Sequence, residues 1–385
     1  MDTKFFKRLL SDIVSTKTIS SENPAESQSN KELVDFLSKE SQALGGISFE
    51  QQILSDPVKN NLLVRFGPDV PGGLLLSGHT DTVGCSPELW NSDPFMLHES
   101  DDRFAGLGVI DMKGFFAHAL AAIKDIGTQS LAKPLWLLAT VDEETSMRGA
   151  ISGVPFVKDL GVKPDAALIG EPTSLIPVFQ HKGYLAYTIS IKGEACHSST
   201  PDAGVNAIEI ASDVLKEIFA LRDFLKTAYR DEAFAVPYPT LNVGAIRGGD
   251  STNRVCDYCE FDLDIRPIAS SPVADLEMML KNAAEKGAGN YANRICVREQ
   301  YAGIPPFRTA KENEFIRTLE ELSGHQAQAV AYCTEASFLA DLGCPLAVMG
   351  AGDIANAHSI NEWLPKNEIE KLNEILKALI AKYCF

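Results

Sequence analysis

The chain has 385 residues, 45% of them hydrophobic, which is enough for two domains of ordinary size with full cores. Its formal net charge of −17 argues against nucleic acid and against an anionic membrane surface as partners. The sequence contains no apolar stretch of membrane-spanning length, and its eight dispersed cysteines are typical of a reducing compartment, so we expect a cytoplasmic protein.

The first part of the chain alternates between helical patterns and continuous apolar runs. Helices are predicted at 4–15, 30–44, 111–123 and 147–160. Strands are predicted at 47–53, 61–66, 74–77, 134–140 and 166–169. Apolar strands that alternate with helices indicate an α/β fold with a largely parallel sheet, covered by helices on both faces.

A second pattern begins near residue 182, where the strands alternate between apolar and polar residues. Its elements are a strand at 184–192, a helix at 204–225, strands at 240–246 and 255–265, a helix at 272–286 and a strand at 294–300. The order βαββαβ is that of the ferredoxin-like motif. The α/β pattern then returns with a helix at 311–322, an apolar run at 345–349 and a helix at 366–382. We therefore expect a catalytic domain formed by residues 1–181 and 303–385, with an inserted domain at 182–302.

Potential metal ligands follow the apolar strands at the positions where α/β sheets bind ligands. Two histidines and three carboxylates are the donors that zinc, cobalt or manganese prefer over magnesium. Two cations that share one carboxylate need about five such protein ligands. The five candidates are His79, Asp111, Glu144, Glu171 and His358.

Two further acidic residues lie beside candidate ligands. Glu143 precedes Glu144 directly, which is where a general base is needed. Asp81 lies two residues after His79, so on an extended chain both side chains point the same way, and Asp81 can orient the imidazole. A solvated acidic loop residue is the alternative for each of these positions taken alone.

Four motifs carry a resemblance to a known family. Ser77-Gly-His-Thr-Asp-Thr-Val83, Gly108-Val-Ile-Asp-Met-Lys-Gly114, Thr140-Val-Asp-Glu-Glu-Thr145 and Ile169-Gly-Glu-Pro-Thr173 resemble those of the co-catalytic zinc amidohydrolases and metallopeptidases. The similarity extends through the whole chain, including the inserted domain. The resemblance implies a metallopeptidase-type catalytic domain with two divalent cations per subunit, zinc or alternatively cobalt, and a lid domain that also forms a homodimer.

The resemblance also implies a role for each site residue. Asp111 would bridge the two cations, with His79 and Glu171 on one and Glu144 and His358 on the other. Glu143 would be the general base and Asp81 the partner of His79. The remaining residues come from the lid and from the stretch 332–336: His197 would stabilise the oxyanion in the partner subunit's site, Asn253 and Arg266 would hold the substrate carboxylate, and Glu335 would face a side-chain ammonium.

The implied reaction is hydrolysis of an N-acyl amino acid, with N2-acetyl-L-ornithine as the expected substrate. The rivals with the same chemistry are hydrolysis of acetylcitrulline, of succinyl-diaminopimelate or of a dipeptide. Two rivals of other classes are a metal-dependent binding protein without catalysis and a structural dimerising protein. Glu143 argues against the binding protein, because a binder needs no base, and the five ligand types argue against the structural protein.

Overall fold

A computed structural model describes residues 1–53 and 58–385, which form two compact units. The first unit comprises Met1–Gln180, Thr309–Gln328 and Thr334–Phe385. The second comprises His181–Arg308 and Ala329–Cys333. The second unit is therefore an insertion into the chain of the first.

The described residues form strands that are numbered in chain order. They are β1 (Ile47–Ile53), β2 (Lys59–Phe66), β3 (Leu74–His79), β4 (His98–Glu99), β5 (Arg103–Ala105), β6 (Leu135–Thr140), β7 (Ala166–Ile169), β8 (Val178–His181), β9 (Leu185–Lys192), β10 (Thr240–Gly248), β11 (Tyr258–Arg266), β12 (Ile295–Glu299), β13 (Phe307–Arg308), β14 (Gln328–Val330), β15 (Leu346–Val348) and β16 (Trp363–Pro365). The α-helices are α1 (Thr3–Ser15), α2 (Lys31–Ala43), α3 (Gly114–Ile126), α4 (Arg148–Asp159), α5 (Ala207–Ala228), α6 (Val273–Ala288), α7 (Glu314–Ser323), α8 (Ala336–Leu339) and α9 (Lys366–Cys384).

The large sheet of the first unit has the strand order β1-β2-β6-β3-β7-β15-β8. Strands β6, β3, β7 and β15 run parallel, whereas β1, β2 and β8 join the sheet through antiparallel pairs. Every residue of β3, β6 and β7 is buried, as expected for strands covered on both faces. The predicted α/β class with a largely parallel sheet is confirmed.

Helix α3 is the central helix of the first unit and packs against α1 and α9. Its first ten residues, Gly114 to Ile123, are all buried, and all except His118 are glycine or apolar. Gly127 ends the helix with a φ of +75°, a conformation that glycine adopts without strain. This buried helix fixes the position of the loop that precedes it, and that loop carries Asp111.

The second unit has an antiparallel sheet with the order β10-β11-β9-β12. Helices α5 and α6 pack against each other and against this sheet. Its core contains Ile189, Val214, Phe261 and Leu280, all fully buried. The elements follow one another as βαββαβ, so the predicted ferredoxin-like insertion is confirmed.

Several short elements were not predicted from the sequence. Strand β8 has four residues, and a separate small sheet pairs β16, β5 and β4, which have two or three residues each. Segments of this length are too short to show a periodic pattern. None of the helices in residues 1–53 and 58–385 combines the length and hydropathy that a membrane span requires.

Candidate metal centre

The structure brings the predicted ligands together at one edge of the large sheet. Strand β3 ends at His79, and the loops after its neighbours β6 and β7 carry Glu144 and Glu171. Because β6, β3 and β7 are parallel, their carboxyl ends meet at the same edge. The other two ligands come from the loop before α3 and from the loop between β15 and β16, which supply Asp111 and His358.

Two groups of three ligand atoms form around a shared carboxylate. His79, Asp111 and Glu171 make one group, and Asp111, Glu144 and His358 make the other, with ligand atoms within 4.8 Å of one another in each group. In the first group, His79 Nε2 lies 3.2 Å from Asp111 Oδ1 and 3.8 Å from Glu171 Oε1. In the second, His358 Nε2 lies 3.1 Å from Asp111 Oδ2 and 2.9 Å from Glu144 Oε2. Each oxygen of Asp111 thus faces a different group.

The orientation of His79 leaves its Nε2 lone pair for a ligand. The Nδ1 atom lies 2.9 Å from the backbone carbonyl oxygen of Asp81 and 3.6 Å from its carboxylate. A carbonyl can only accept, so Nδ1 carries the proton and Nε2 faces Asp111 unprotonated when the ring is neutral. The sequence predicted an Asp81 contact with His79, and the structure places that contact on the backbone of Asp81.

The Asp81 carboxylate instead holds the turn that carries the two glutamates. It is fully buried, and its two oxygens accept the backbone N–H groups of Glu143 and Glu144 at 3.3 Å each. The same residue therefore orients His79 through its carbonyl and the Glu143-Glu144 pair through its carboxylate.

The loop before α3 is held by a carboxylate that the sequence analysis missed. Glu362 is 2% exposed, and it accepts the backbone N–H groups of Gly108 at 2.9 Å, Ile110 at 2.8 Å and Asp111 at 3.2 Å. Gly108 has a φ of +74°, a left-handed conformation that favours glycine. The only signal in the sequence is that Glu362 follows His358 by four residues, and spacing alone does not predict a contact with a loop so distant along the chain.

The electrostatics of the site favour a cation. Burial raises the pKa of Glu143 and of Glu171 well above the ordinary value of a carboxyl group, and neighbouring carboxylates add to this effect. The hydrogen bonds to Asp111 and Glu144 raise the pKa of His358 to about 11. Crowded carboxylates of this kind hold protons unless a metal ion supplies the positive charge.

The side chains of the two groups are of the types that bind divalent transition metals. Each group combines one imidazole with two carboxylates, and this mixture is typical of zinc or cobalt rather than magnesium. Glu144 Oε1 is buried and has no hydrogen-bond partner among the described residues, so a donor atom remains for a ligand. The residues present therefore fit a pair of cations that share Asp111.

Glu143 lies beside the metal ligands without belonging to either group. As whole residues, Glu143 and Glu144 are both half-buried, but only the Glu144 carboxylate contacts a ligand histidine, at 2.9 Å from His358 Nε2. Glu143 is thus the carboxylate of the adjacent pair that is left for a role other than metal binding.

In the second unit, two of the three predicted lid residues lie side by side. His197 forms an antiparallel bridge with Arg254, and the carbonyl of Asn253 accepts the N–H of Ser198 at 3.1 Å. His197 is exposed, and its Nδ1 accepts the backbone N–H of Ser199 at 3.2 Å. The proton of a neutral His197 ring is therefore on Nε2, which is free to donate.

Arg266, the third lid residue, lies at the end of β11. Its Nε and Nη2 atoms donate to the Asp264 carboxylate at 3.0 and 2.9 Å, and its guanidinium stacks on the Tyr184 ring at 4.2 Å from the centroid. These contacts fix the plane of the guanidinium.

Glu335 belongs to the first unit and has no exposed surface. Burial raises the pKa of its carboxyl group to about 7. The charges of His79 and Asp81 act on it, so it lies near the metal centre. In this structure the carboxylate has no accessible face for a substrate ammonium.

Comparisons with known proteins identify the family. Residues 75–382 match the sequence profile of Peptidase family M20/M25/M40. The chain belongs to this family. The resemblance inferred from the four motifs is confirmed, and with it the expectation of a metal-dependent amidohydrolase.

Individual relatives of the chain match it from end to end. Acetylornithine deacetylase of Klebsiella pneumoniae is 42% identical over 373 residues, which cover 97% of this chain and 96% of that protein. Aminopeptidase PepT of Bacillus cereus superimposes with a TM-score of 0.79 at 18% identity, covering 99% of this chain and 98% of that chain. A dinuclear metal-binding peptidase of family M20 from Bacillus subtilis superimposes with a TM-score of 0.67 at 12% identity, covering 99% of both chains. At these identities the two solved structures establish the fold alone.

Proposed function

We propose that this protein hydrolyses N2-acetyl-L-ornithine to L-ornithine and acetate. The observation that carries the proposal is the full-length similarity, at 42% identity, to a protein named acetylornithine deacetylase. The five predicted ligands and the adjacent glutamate support the chemistry. With ornithine as the product, the reaction belongs to arginine biosynthesis, and the predicted place of action is the cytoplasm.

Two divalent cations, zinc or cobalt, are the proposed cofactors. His79, Asp111 and Glu171 would hold one, and Asp111, Glu144 and His358 the other. When bound, the cations polarise the acyl carbonyl and lower the pKa of the attacking water. The hydrogen bond from His79 Nδ1 to the Asp81 carbonyl keeps the imidazole in the tautomer that a ligand requires.

Glu143 is the proposed general base. It takes a proton from the attacking water and delivers it to the nitrogen of the leaving amino acid. Its backbone N–H is held by Asp81, so the position of its carboxylate is set by the same residue that orients His79. Burial raises the pKa of Glu143, and a raised pKa suits a carboxylate that first accepts a proton and then donates it.

The proposed lid residues would contact two negatively charged groups, the oxyanion that forms during hydrolysis and the carboxylate of the substrate. His197 would donate from Nε2 to the oxyanion, the kind of contact worth about 2.7–4 kcal/mol in mutational tests. Arg266 and Asn253 would hold the α-carboxylate of the substrate, Arg266 through its remaining guanidinium N–H groups. We propose residues 182–302 as the lid and dimerisation domain, and residues 1–181 and 303–385 as the catalytic domain.

The second unit has a surface suited to a second copy of the chain. Strand β10 lies at one end of its sheet, and an edge strand offers backbone groups for pairing. Ile208, Phe219 and Ile246 line a groove at this edge and are 47%, 38% and 57% exposed. A two-fold homodimer would bury these apolar side chains. Light scattering should then give twice the chain mass for the wild type and a smaller mass for Ile246→Lys.

Glu335 stays a prediction for recognition of the ornithine ammonium. Because its carboxylate is buried, such a contact requires the residues that cover it to move. Glu335→Gln should lower kcat/KM for acetylornithine about 10-fold or more, while acetylcitrulline, which has no ammonium, is affected less. An equal loss of kcat/KM for both substrates would show that Glu335 stabilises the structure of the site and does not bind the ammonium.

The decisive experiment is a release assay with a panel of N-acyl amino acids and added zinc or cobalt. We expect acetylornithine to give the highest kcat/KM, above acetylcitrulline and succinyl-diaminopimelate. A chelator should abolish the activity, and either metal should restore it. A higher kcat/KM for the succinyl substrate would assign the protein to that reaction, and a dipeptide preference would make it a peptidase.

A further inference from the structure

The residue before the proposed base has an unusual backbone conformation. Asp142 lies between the end of β6 and Glu143, and its φ is +58°. This left-handed region is unfavourable for residues with a Cβ atom, although aspartate and asparagine tolerate it better than most. The Asp142 carbonyl accepts the N–H groups of Ser146 and Met147, so the left-handed residue begins a closed turn. The direction in which Glu143 leaves the sheet therefore depends on Asp142 keeping this conformation.

The side chain of Asp142 is bound to two buried partners. Its Oδ1 accepts a hydrogen bond from Ser20 Oγ at 2.8 Å and lies 2.8 Å from Lys59 Nζ. Lys59 Nζ also donates to Ser20 Oγ at 3.0 Å, which closes a triangle. Lys59, Ser20 and Asp142 are 2%, 4% and 6% exposed. Buried ion pairs often contribute little to net stability because both charges lose water, so stability alone is a weak explanation for this one.

Both partners are themselves fixed to rigid segments. Asn60, the neighbour of Lys59, is held by Asn30, which accepts its N–H at 2.9 Å and donates to its carbonyl at 2.8 Å. Ser20 donates its backbone N–H to the Thr82 carbonyl at 2.9 Å. The segment around Ser20 thus lies against the segment that carries Asp81.

The peptide that leads into Glu143 is consequently held from two directions. On one side, the Asp81 carboxylate accepts the N–H groups of Glu143 and Glu144. On the other side, Lys59 and Ser20 bind the Asp142 carboxylate. If Asp142 relaxed to a negative φ, the chain would turn differently and the Glu143 carboxylate would move away from its place beside the ligands.

We propose that Lys59 and Ser20 are positioning residues for Glu143, which they place by holding Asp142 in the left-handed conformation. This inference rests on the proposed function, in which Glu143 is the general base. Its physical basis is that a misplacement of about 1 Å in a reacting group lowers turnover by about 10²-fold.

The test uses variants that separate the charge, the backbone conformation and general stability. Lys59→Met removes the anchor at similar volume, and Asp142→Ala removes both the anchor and the tolerance for positive φ. Asp142→Asn keeps the oxygen acceptor and the tolerance for positive φ, so it is the conservative rescue. Leu376→Ala, at a fully buried position of α9, is the control for stability loss.

Two readouts are needed, and one of them requires no substrate. We expect Lys59→Met and Asp142→Ala to lower kcat at least about 10-fold with KM and metal content unchanged, and Asp142→Asn to stay within about 3-fold. We also expect faster amide hydrogen exchange over residues 141–147 in the two damaging variants and wild-type exchange there in Leu376→Ala, with metal bound throughout.

The outcomes separate this inference from the proposed function. If Lys59→Met loses thermal stability as Leu376→Ala does but keeps wild-type kcat and wild-type exchange over 141–147, the anchor is structural and the inference is wrong. If the damaging variants lose metal, the anchor acts on Glu144 and the inference is again wrong. If the wild type hydrolyses no N-acyl amino acid, the proposed function fails, and the exchange data alone decide whether Lys59 holds the turn.

Discussion

Glu362→Gln tests how much the metal centre depends on a residue that is not itself a ligand. The change replaces one acceptor oxygen by an NH2 group and keeps the shape of the side chain. Oε1 of Glu362 accepts the N–H groups of Ile110 and Asp111, and Oε2 accepts that of Gly108. A glutamine carbonyl can keep the first two bonds, but its NH2 group then faces the Gly108 N–H, donor against donor.

The magnitude follows from this lost contact. A hydrogen bond contributes about 0.5–1.5 kcal/mol, and a buried donor without a partner costs about 1–3 kcal/mol. We therefore expect the Asp111 loop to be destabilised by about 3 kcal/mol. If all of this free energy is lost from metal binding, the metal affinity falls by about 10²-fold, which is the upper limit of the effect. The loss should affect both cations, because each oxygen of Asp111 faces one of the two ligand groups.

The assay is a titration of metal-free protein with Co²⁺, followed by visible absorption and by calorimetry. Glu320→Gln is the matched control, because Glu320 Oε1 also accepts the backbone N–H of a buried residue, Ala327 at 2.7 Å, in a segment that carries no predicted ligand. We expect weaker cobalt binding in Glu362→Gln and near-wild-type binding in Glu320→Gln. Equal cobalt affinity in both variants and the wild type would refute the reasoning.

Three further predictions concern the base, the lid and acid stability. Glu143→Gln should lower turnover about 10²-fold or more with both metals retained, whereas Glu144→Gln should lower the metal content. Mixing His197→Ala with Glu143→Gln subunits should restore about a quarter of wild-type activity. Random pairing makes half of the dimers heterodimers, and one of the two sites in each heterodimer is intact. His118→Leu should reduce the acid sensitivity of folding, since burial lowers the pKa of His118 to about 3. The unfolded chain takes up this proton below about pH 6.5 and the folded chain does not, so wild-type stability falls by about 2 kcal/mol between pH 7 and pH 5 from this residue alone.

Each of these predictions has a measurement that can contradict it. Steady-state kinetics with elemental analysis test the base, and near-normal turnover in Glu143→Gln would remove that assignment. Differential tags must prove subunit exchange, after which flat activity would mean that His197 acts in its own subunit. Urea unfolding in chelator at pH 7 and pH 5 tests His118, and equal pH dependence in wild type and His118→Leu would contradict the third prediction.

The ligand positions could be predicted because each depends on a local pattern. His79 and Glu171 follow apolar runs of three and four residues, and in a parallel sheet the ends of such runs meet at one edge. The order of strands is not needed for that inference, only the fact that they are parallel. The inserted unit was predictable for a similar reason, because the change from continuous to alternating apolar patterns marks a change of sheet type.

The residues that hold these ligands in place could not be predicted in the same way. Glu362 reaches Gly108, and Lys59 reaches Asp142, across more than eighty residues of sequence, and neither shows a pattern before the fold is known. From a single sequence, a lysine or glutamate is expected to be exposed to solvent, even where the fold buries it. The two-residue spacing of His79 and Asp81 predicted a contact but not which atoms make it, since backbone carbonyl and carboxylate are both within reach of the ring.

The distinction between ligands and holding residues leads to a last prediction, on stability rather than activity. Cations that bind only the folded chain stabilise it by about 2.7 kcal/mol when their free concentration is 100 times the dissociation constant. For domains of this size, that corresponds to a rise in melting temperature of about 5 °C or more when zinc is added to the chelated protein. His358→Ala removes a donor of one group and should lose part of this rise, whereas Glu143→Gln lies outside both groups and should keep it. Calorimetric scans of the three proteins with and without zinc make the comparison. If Glu143→Gln loses the rise in melting temperature and His358→Ala keeps it, Glu143 is a metal ligand and His358 is not. The general base must then be another residue of the site.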